Sequence, residues 1–289
     1  MLYLLKQRHN HDHHDHDDHG GLHRDLSATG SALGRREMLR RFAFGAGALA
    51  LLGCSDSGTS VLTGTDASGE TGGTGSTTGT GGTCSKIPTE TAGPYPGDGS
   101  NGANVLNQTG VVRSDIRSSF AGLSGTATGV PLTIKLTLVS ASTCAPLAGR
   151  AVYLWHCDAL GRYSLYTSGV TNQNYLRGVQ EADANGVVSF TSIYPGCYSG
   201  RWPHIHFEVY PTLASSTSVS NKIATSQIAL PKASNDLVYA SSGYTGSAAN
   251  ASRISLASDT VFSDGSALEL ATVTGSVDAG FVATLTVAV

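Results

Sequence analysis

Between Ser55 and Thr83 the chain is almost entirely glycine, threonine and serine, with a few acids. Such a segment buries too little apolar surface to offset the chain entropy lost on ordering. It reads as a flexible tether, and it divides the 289 residues into parts that fold separately. The expected organisation is a leader with an export signal over residues 1–54, a linker over 55–84 and a folded domain over 85–289. About 200 residues are enough for one domain with a real core. Charged residues make up 13% of the chain and the net charge is -3, where about 25% charged is usual. There is no basic field to attract nucleic acid and no long acidic run. No internal repeat is visible.

The leader opens with a histidine- and aspartate-rich run, His9 to His19. It could chelate a metal loosely, but nothing around it fixes ligand geometry, so it reads as a solvated leader. Gly34-Arg35-Arg36-Glu37-Met38-Leu39-Arg40 then precedes the apolar run Phe42 to Leu52 and Gly53-Cys54. A basic flank, a short apolar core and a small residue before a cut site are the parts of a secretory signal. The run falls short of the roughly 20 residues a membrane-spanning helix needs. The paired arginines resemble a twin-arginine signal, without the usual Ser or Thr before them and with Met38 where Phe is common. Leu51-Leu52-Gly53-Cys54 resembles a bacterial lipobox. The expectation is a lipoprotein exported to the periplasm or cell surface and attached to the membrane only through a lipid on Cys54. The four remaining cysteines, Cys84, Cys144, Cys157 and Cys197, allow three disulfide connectivities in an oxidising compartment. Buried thiols are the alternative for one or two of them.

From Cys84 onward the chain reads as short strands. Leu132-Thr-Ile-Lys-Leu-Thr-Leu-Val139 alternates apolar with polar residues, as a half-buried strand does. Ala151-Val-Tyr-Leu-Trp155, Gly186 to Ile193 after the turn at Asp183-Ala-Asn-Gly186, His204 to Tyr210 and Phe281 to Val289 continue the pattern. No long helical period appears. Many short strands separated by turn signals point to an all-β sandwich or barrel, with a sandwich of mixed strands expected here. The Ser/Thr-rich stretch Ser215 to Ser220 reads as a surface loop.

His204-Ile205-His206 opens one of these strands. Side chains at i and i+2 share a face, so the two imidazoles point together and Ile205 points into the opposite layer. Paired neutral imidazoles suit a transition metal; a hydrogen-bonded histidine pair on a half-buried face is the structural alternative. Tyr163 and Tyr198, on turns near the candidate histidines, read by position alone as structural residues that fill a core or bond across strands. Two tyrosinates with two histidines form a hard, anionic set that suits iron(III), whereas zinc favours Cys, His and carboxylates.

Several spaced motifs, in order, carry a resemblance. Trp155-His-Cys-Asp-Ala-Leu-Gly-Arg-Tyr163, Leu176-Arg-Gly178, Asp183-Ala-Asn-Gly186, Ile193-Tyr-Pro-Gly-Cys-Tyr198 and Arg201-Trp-Pro-His-Ile-His206 resemble the core of the intradiol ring-cleavage dioxygenases. Glu90-Thr-Ala-Gly-Pro-Tyr95 resembles the segment that opens this core, and the likeness runs from about Thr89 to Pro231. The resemblance implies a non-haem iron(III) held by Tyr163, Tyr198, His204 and His206, with Tyr194 the rival of Tyr198. It implies that Arg201 stabilises negative charge on the substrate and that Gln227 supports the site from behind. Two departures stand out. Cys197 takes a position where exported relatives often carry Trp, and the helical dimerisation region of cytoplasmic catechol dioxygenases has no counterpart, so dimerisation by that route is not expected.

The implied reaction inserts O2 into a catechol and cuts the ring between the two hydroxylated carbons to give a muconate-type diacid. The partners expected are a catecholic small molecule and O2, with no nucleic acid and no defined oligomeric state. Two other readings stay open on residues alone. One is a catalytically inactive exported sandwich that binds phenolic or other ligands. The other is a zinc hydrolase using the same histidines, against which the tyrosines argue.

Overall fold

Leu132, Ile134, Leu136 and Leu138 alternate with polar residues along β1 (Pro131–Val139), and all four are buried. That alternation makes β1 the centre of one layer of a two-sheet sandwich, as the strand pattern predicts. The structure is a computed structural model that describes residues 83–289. The expected leader, export signal, lipid site at Cys54 and nearly all of the linker lie outside the described residues.

The first sheet has the order β4-β1-β8-β7, with β4 at Val187–Ile193, β7 at Thr272–Ser276 and β8 at Gly280–Ala288. β1 runs parallel to β8 and antiparallel to β4. The second sheet is antiparallel throughout, in the order β3-β2-β5-β6, with β2 at Ala151–Trp155, β3 at Arg177–Glu181, β5 at His204–Tyr210 and β6 at Ala224–Ala229. Leu132, Ile134, Leu136, Phe190 and Phe281 from the first sheet join Val152, Leu154, Ile205, Phe207 and Val209 from the second in one core. Two short helices, α1 (Lys232–Tyr239) and α2 (Ser247–Ala251), follow β6. No helix among the described residues is long and apolar enough to cross a membrane.

The second sheet departs from the half-buried pattern that its alternation predicts. Every residue of β2, β5 and β6 is buried. The outer face carries Ala151, Tyr153, Trp155, Val179 and Tyr210, and it forms a second core with Val105, Leu106, Val111 and Phe120 from the preceding segment. The polar residues of the alternation, His204, His206 and Glu208, thus face a covered layer and not solvent. The structure pairs Cys84 with Cys144 and leaves Cys157 and Cys197 as buried thiols, which settles the connectivity that spacing leaves open. The stretch read as a loop at Ser215 to Ser220 holds two 3-10 turns, Ala214–Thr217 and Val219–Asn221.

Arg177 fastens the covering segment to the sheet. Its side chain is fully buried and donates to the carbonyls of Tyr95, Pro96 and Ser164 at 2.9, 2.6 and 2.9 Å. It also donates to the hydroxyls of Ser164 and Tyr153 at 3.1 and 3.2 Å. Gly97 has φ +66, and a Cβ there would come within 2.7 Å of Arg177 Nη1. Only glycine combines that left-handed backbone with room for the guanidinium.

Glu269 follows a different rule. It is buried beside the edge of β6, with Oε1 accepting from Ser226 at 3.3 Å and Oε2 without a hydrogen-bond partner among the described residues. Burial, and then the Glu90 carboxylate, lifts its pKa from 4.5 to about 8. The folded state therefore holds a proton that the unfolded chain has released.

Two outcomes follow from these groups. Arg177→Ala strands several buried acceptors at about 1–3 kcal/mol each, so urea unfolding should show a loss of at least about 3 kcal/mol. For Glu269 the raised folded pKa makes stability fall as pH rises from about 5 to about 8. Glu269→Gln should flatten that slope, measured by urea midpoints at both ends of the range.

Candidate metal centre

β5 begins the site because its outer face points the imidazoles of His204 and His206 the same way while Ile205 enters the sandwich core. His204 Nδ1 lies 2.5 Å from the Trp202 carbonyl, to which its N–H donates, leaving Nε2 with a lone pair. His206 stacks on Trp155, its neighbour across the β2–β5 pairing, at 4.9 Å and 4°. Both rings are buried. Burial first, and then the Arg201 charge for His204 and the neighbouring imidazole for His206, pushes both pKa values well below the ordinary histidine range. Both are neutral, the form in which histidine binds metals.

The two tyrosines come from loops whose backbones touch. Asp158 closes the first loop, with Oδ1 accepting from the N–H groups of Leu160 and Arg162 at 2.9 and 3.0 Å. Its Oδ2 accepts from Arg162 Nε and the Tyr175 hydroxyl at 2.9 and 3.0 Å. Gly196 in the second loop donates to the Asp158 carbonyl at 2.9 Å. A Cβ on Gly196 would lie 2.5 Å from the Ala159 carbonyl oxygen, so any other residue would prise the loops apart. Tyr163 follows the first turn and Tyr198 the second, and their rings meet edge to face at 5.9 Å.

These elements bring four side chains to one point. Tyr163 Oη and Tyr198 Oη each lie 3.3 Å from His204 Nε2, and His206 Nε2 lies 3.1 Å from it. One imidazole lone pair accepts one good hydrogen bond, yet three groups crowd upon it. His206 Nδ1 has no partner among the described residues. Donors held about 2 Å from a common ion sit roughly 2.9–3.4 Å apart, so these spacings fit the edges of a coordination shell. No cluster of three His, Cys, Asp or Glu side chains that could hold a metal occurs among the described residues; this set depends on its phenol oxygens. Burial, and next the proximity of Tyr198, raises the Tyr163 pKa well above the ordinary phenol value. A cation within the set would reverse that direction, since a bound ion is the largest local charge.

Arg201 and Gln227 stand beside this group. Arg201 Nη2 donates to Gln227 Oε1 at 2.7 Å, and Gln227 Nε2 donates to the Thr91 carbonyl at 2.9 Å. Gln227 is the cross-strand partner of His206. Asp259 carries no signal in the sequence, yet its Oδ2 accepts from Arg201 Nε at 3.0 Å. It lies in a Ser- and Ala-rich stretch with no periodic pattern, and only the buried ion pair marks it. Tyr194, the rival of Tyr198, is elsewhere: its hydroxyl bonds to Ser234 at 2.8 Å and Asn235 at 2.6 Å beneath α1. His156 is also apart, bonded to the Cys157 carbonyl and Ser192, with burial lowering its pKa to about 4.

Residues 111–216 match the family model described as Dioxygenase, a narrower span than the motifs from Thr89 to Pro231. The fold is similar to that of an intradiol ring-cleavage dioxygenase from Tetranychus urticae, at 24% identity and a TM-score of 0.57, covering 71% of this chain and 94% of that one. A second dioxygenase crystal structure is similar at 24% identity and a TM-score of 0.56, with the same coverage. No curated protein matches the chain. The resemblance read from the motifs is thus met by a dioxygenase family match and by the fold of intradiol ring-cleavage dioxygenases.

The two tyrosines should separate in the metal-free protein. Tyr194→Phe removes buried hydrogen bonds and should cost about 1–3 kcal/mol. Tyr198 is half-buried and its hydroxyl shares the His204 lone pair with two other groups, so Tyr198→Phe should cost less than Tyr194→Phe. Urea unfolding of chelator-treated protein checks both.

Proposed function

We propose that this chain is an iron(III) intradiol ring-cleavage dioxygenase that inserts both atoms of O2 into a catechol-type aromatic and releases a muconate-type diacid. The observation that carries this reading is the convergence of two phenols and the His206 imidazole on His204 Nε2. Tyr163, Tyr198, His204 and His206 would hold the ion. When bound, iron(III) supplies a Lewis acid that lowers the catechol pKa and makes the ring reactive towards O2.

The chain's own residues have distinct tasks in this reading. Tyr163 is buried, with its ring 5.0 Å from that of Tyr95, and stays in place. Tyr198 is half-buried on a loop bounded by Gly196 and Gly200. In this reading Tyr198 is the tyrosine that moves aside as substrate enters, and its Oη accepts a proton from a catechol hydroxyl. His204 and His206 remain fixed by the Trp202 carbonyl and the Trp155 ring. Arg201 stabilises the negative charge that develops on the substrate, in a buried setting where a fixed cation acts strongly. Gln227 holds Arg201 and tethers it to the segment at Thr91.

The domain is further proposed to work outside the cytoplasm as a lipoprotein anchored through Cys54. The leader motifs support this, and so does the Cys84–Cys144 disulfide, a bond at home in oxidising compartments.

Purified protein should bind about one iron per chain and show a visible tyrosinate-to-iron charge-transfer band. Tyr163→Phe and Tyr198→Phe should each alter that band, and Tyr194→Phe should not. Oxygen uptake with a panel of substituted catechols identifies the substrate. A preparation that stays colourless and inactive after iron loading would overturn the proposal in favour of a binding module.

A further inference from the structure

Asp259 makes more structural connections than an ordinary ion-pair partner. Its side chain is fully buried, as is that of Arg201. Oδ2 accepts from Arg201 Nε at 3.0 Å and from the Trp202 N–H at 2.6 Å. Oδ1 accepts from the N–H groups of Val261 and Phe262 at 2.8 and 3.2 Å. One carboxylate therefore binds the residues just before His204 to a turn whose Phe262 ring lies 6.5 Å from the His204 ring. Arg201 is gripped on two sides, by Asp259 at Nε and by Gln227 at Nη2.

We infer that Asp259 is a positioning residue for Arg201, holding the guanidinium by its Nε in one orientation beside the candidate metal centre. The inference rests on the dioxygenase reading for its catalytic consequence, but the anchoring itself is a property of the chain. A buried arginine without an anion is costly, and one held by a single amide keeps freedom about its long side chain. The carboxylate removes both difficulties. It also moderates the positive charge that Arg201 presents to the two histidines. Four N–H donors converge on two oxygens, so asparagine is no substitute: whichever way the amide is turned, its NH2 meets donors. Asp259 lies outside the family-matched span of residues 111–216, so the anchor comes from a part of the chain that the match does not cover.

The test has two readouts. In metal-free protein with 15N-arginine, the Arg201 Nε–H resonance, assigned by its loss in Arg201→Gln, should exchange slowly with solvent. Asp259→Asn should shift it and speed that exchange. In iron-loaded protein Asp259→Asn should lower kcat by roughly 10- to 100-fold and move KM by less than about threefold, with the charge-transfer band kept. The double variant with Arg201→Gln should be no slower than Arg201→Gln alone, because the two act as a unit. An unchanged resonance in Asp259→Asn, or losses that simply add, would overturn the inference. Additive losses would instead assign Asp259 a purely structural role in the turn at Phe262. If Asp259→Asn does not fold, Asp259→Glu keeps the charge and should still displace the resonance, with a smaller loss of kcat. If the wild type binds iron but consumes no oxygen, the dioxygenase reading fails, and the resonance alone decides the anchoring.

Discussion

The guanidinium of Arg177 sits inside the protein, satisfied by three carbonyls and two hydroxyls. Such an arrangement requires every acceptor to be in place, because a buried charge tolerates no empty position. Two of the carbonyls belong to Tyr95 and Pro96, so the segment that opens the domain must lie across the second sheet. The hydroxyl and carbonyl of Ser164 fix the residue next to Tyr163. Tyr95 in turn packs its ring on Tyr163 and on Tyr166. One cation thus holds the cover over the outer face and, through it, one wall of the candidate metal centre.

The sandwich and its central strands were legible because β1, β5 and β8 carry clear period-2 alternation. β3, β6 and β7 were not, since Arg177-Gly-Val-Gln-Glu181, Ala224-Thr-Ser-Gln-Ile-Ala229 and Thr272-Val-Thr-Gly-Ser276 show too little apolar contrast. Their pairing comes from neighbours, through register and burial, which no local pattern encodes. The same limit explains the second core. Alternation separates two faces of a strand but does not say whether the polar one meets water or another layer of protein.

The site divides along similar lines. His204 and His206 were visible from i, i+2 spacing on a strand, and Tyr163 and Tyr198 from motifs on adjoining turns. Tyr198 and Tyr194 lie four residues apart in sequence, yet one hydroxyl lies beside the His204 imidazole and the other is bonded beneath α1. Asp259 lay beyond reach because a lone acid in a small polar stretch carries no signal until the chain folds back upon Arg201. What unites the group electrically is exclusion of water. Neutral histidines, a protonated Tyr163 and a compensated arginine are the states a dry site prefers without a metal.

The disulfide has a mechanical consequence. Cys84 is covalently joined to Cys144 just after β1, Ile87 bonds to the end of β8 and the Ala141 N–H to the Val289 carbonyl. Both ends of the described chain therefore meet at one corner of the first sheet. Along the chain the disulfide comes before any strand, so residues 84–87 stay joined to the end of β1 even when their own hydrogen bonds open.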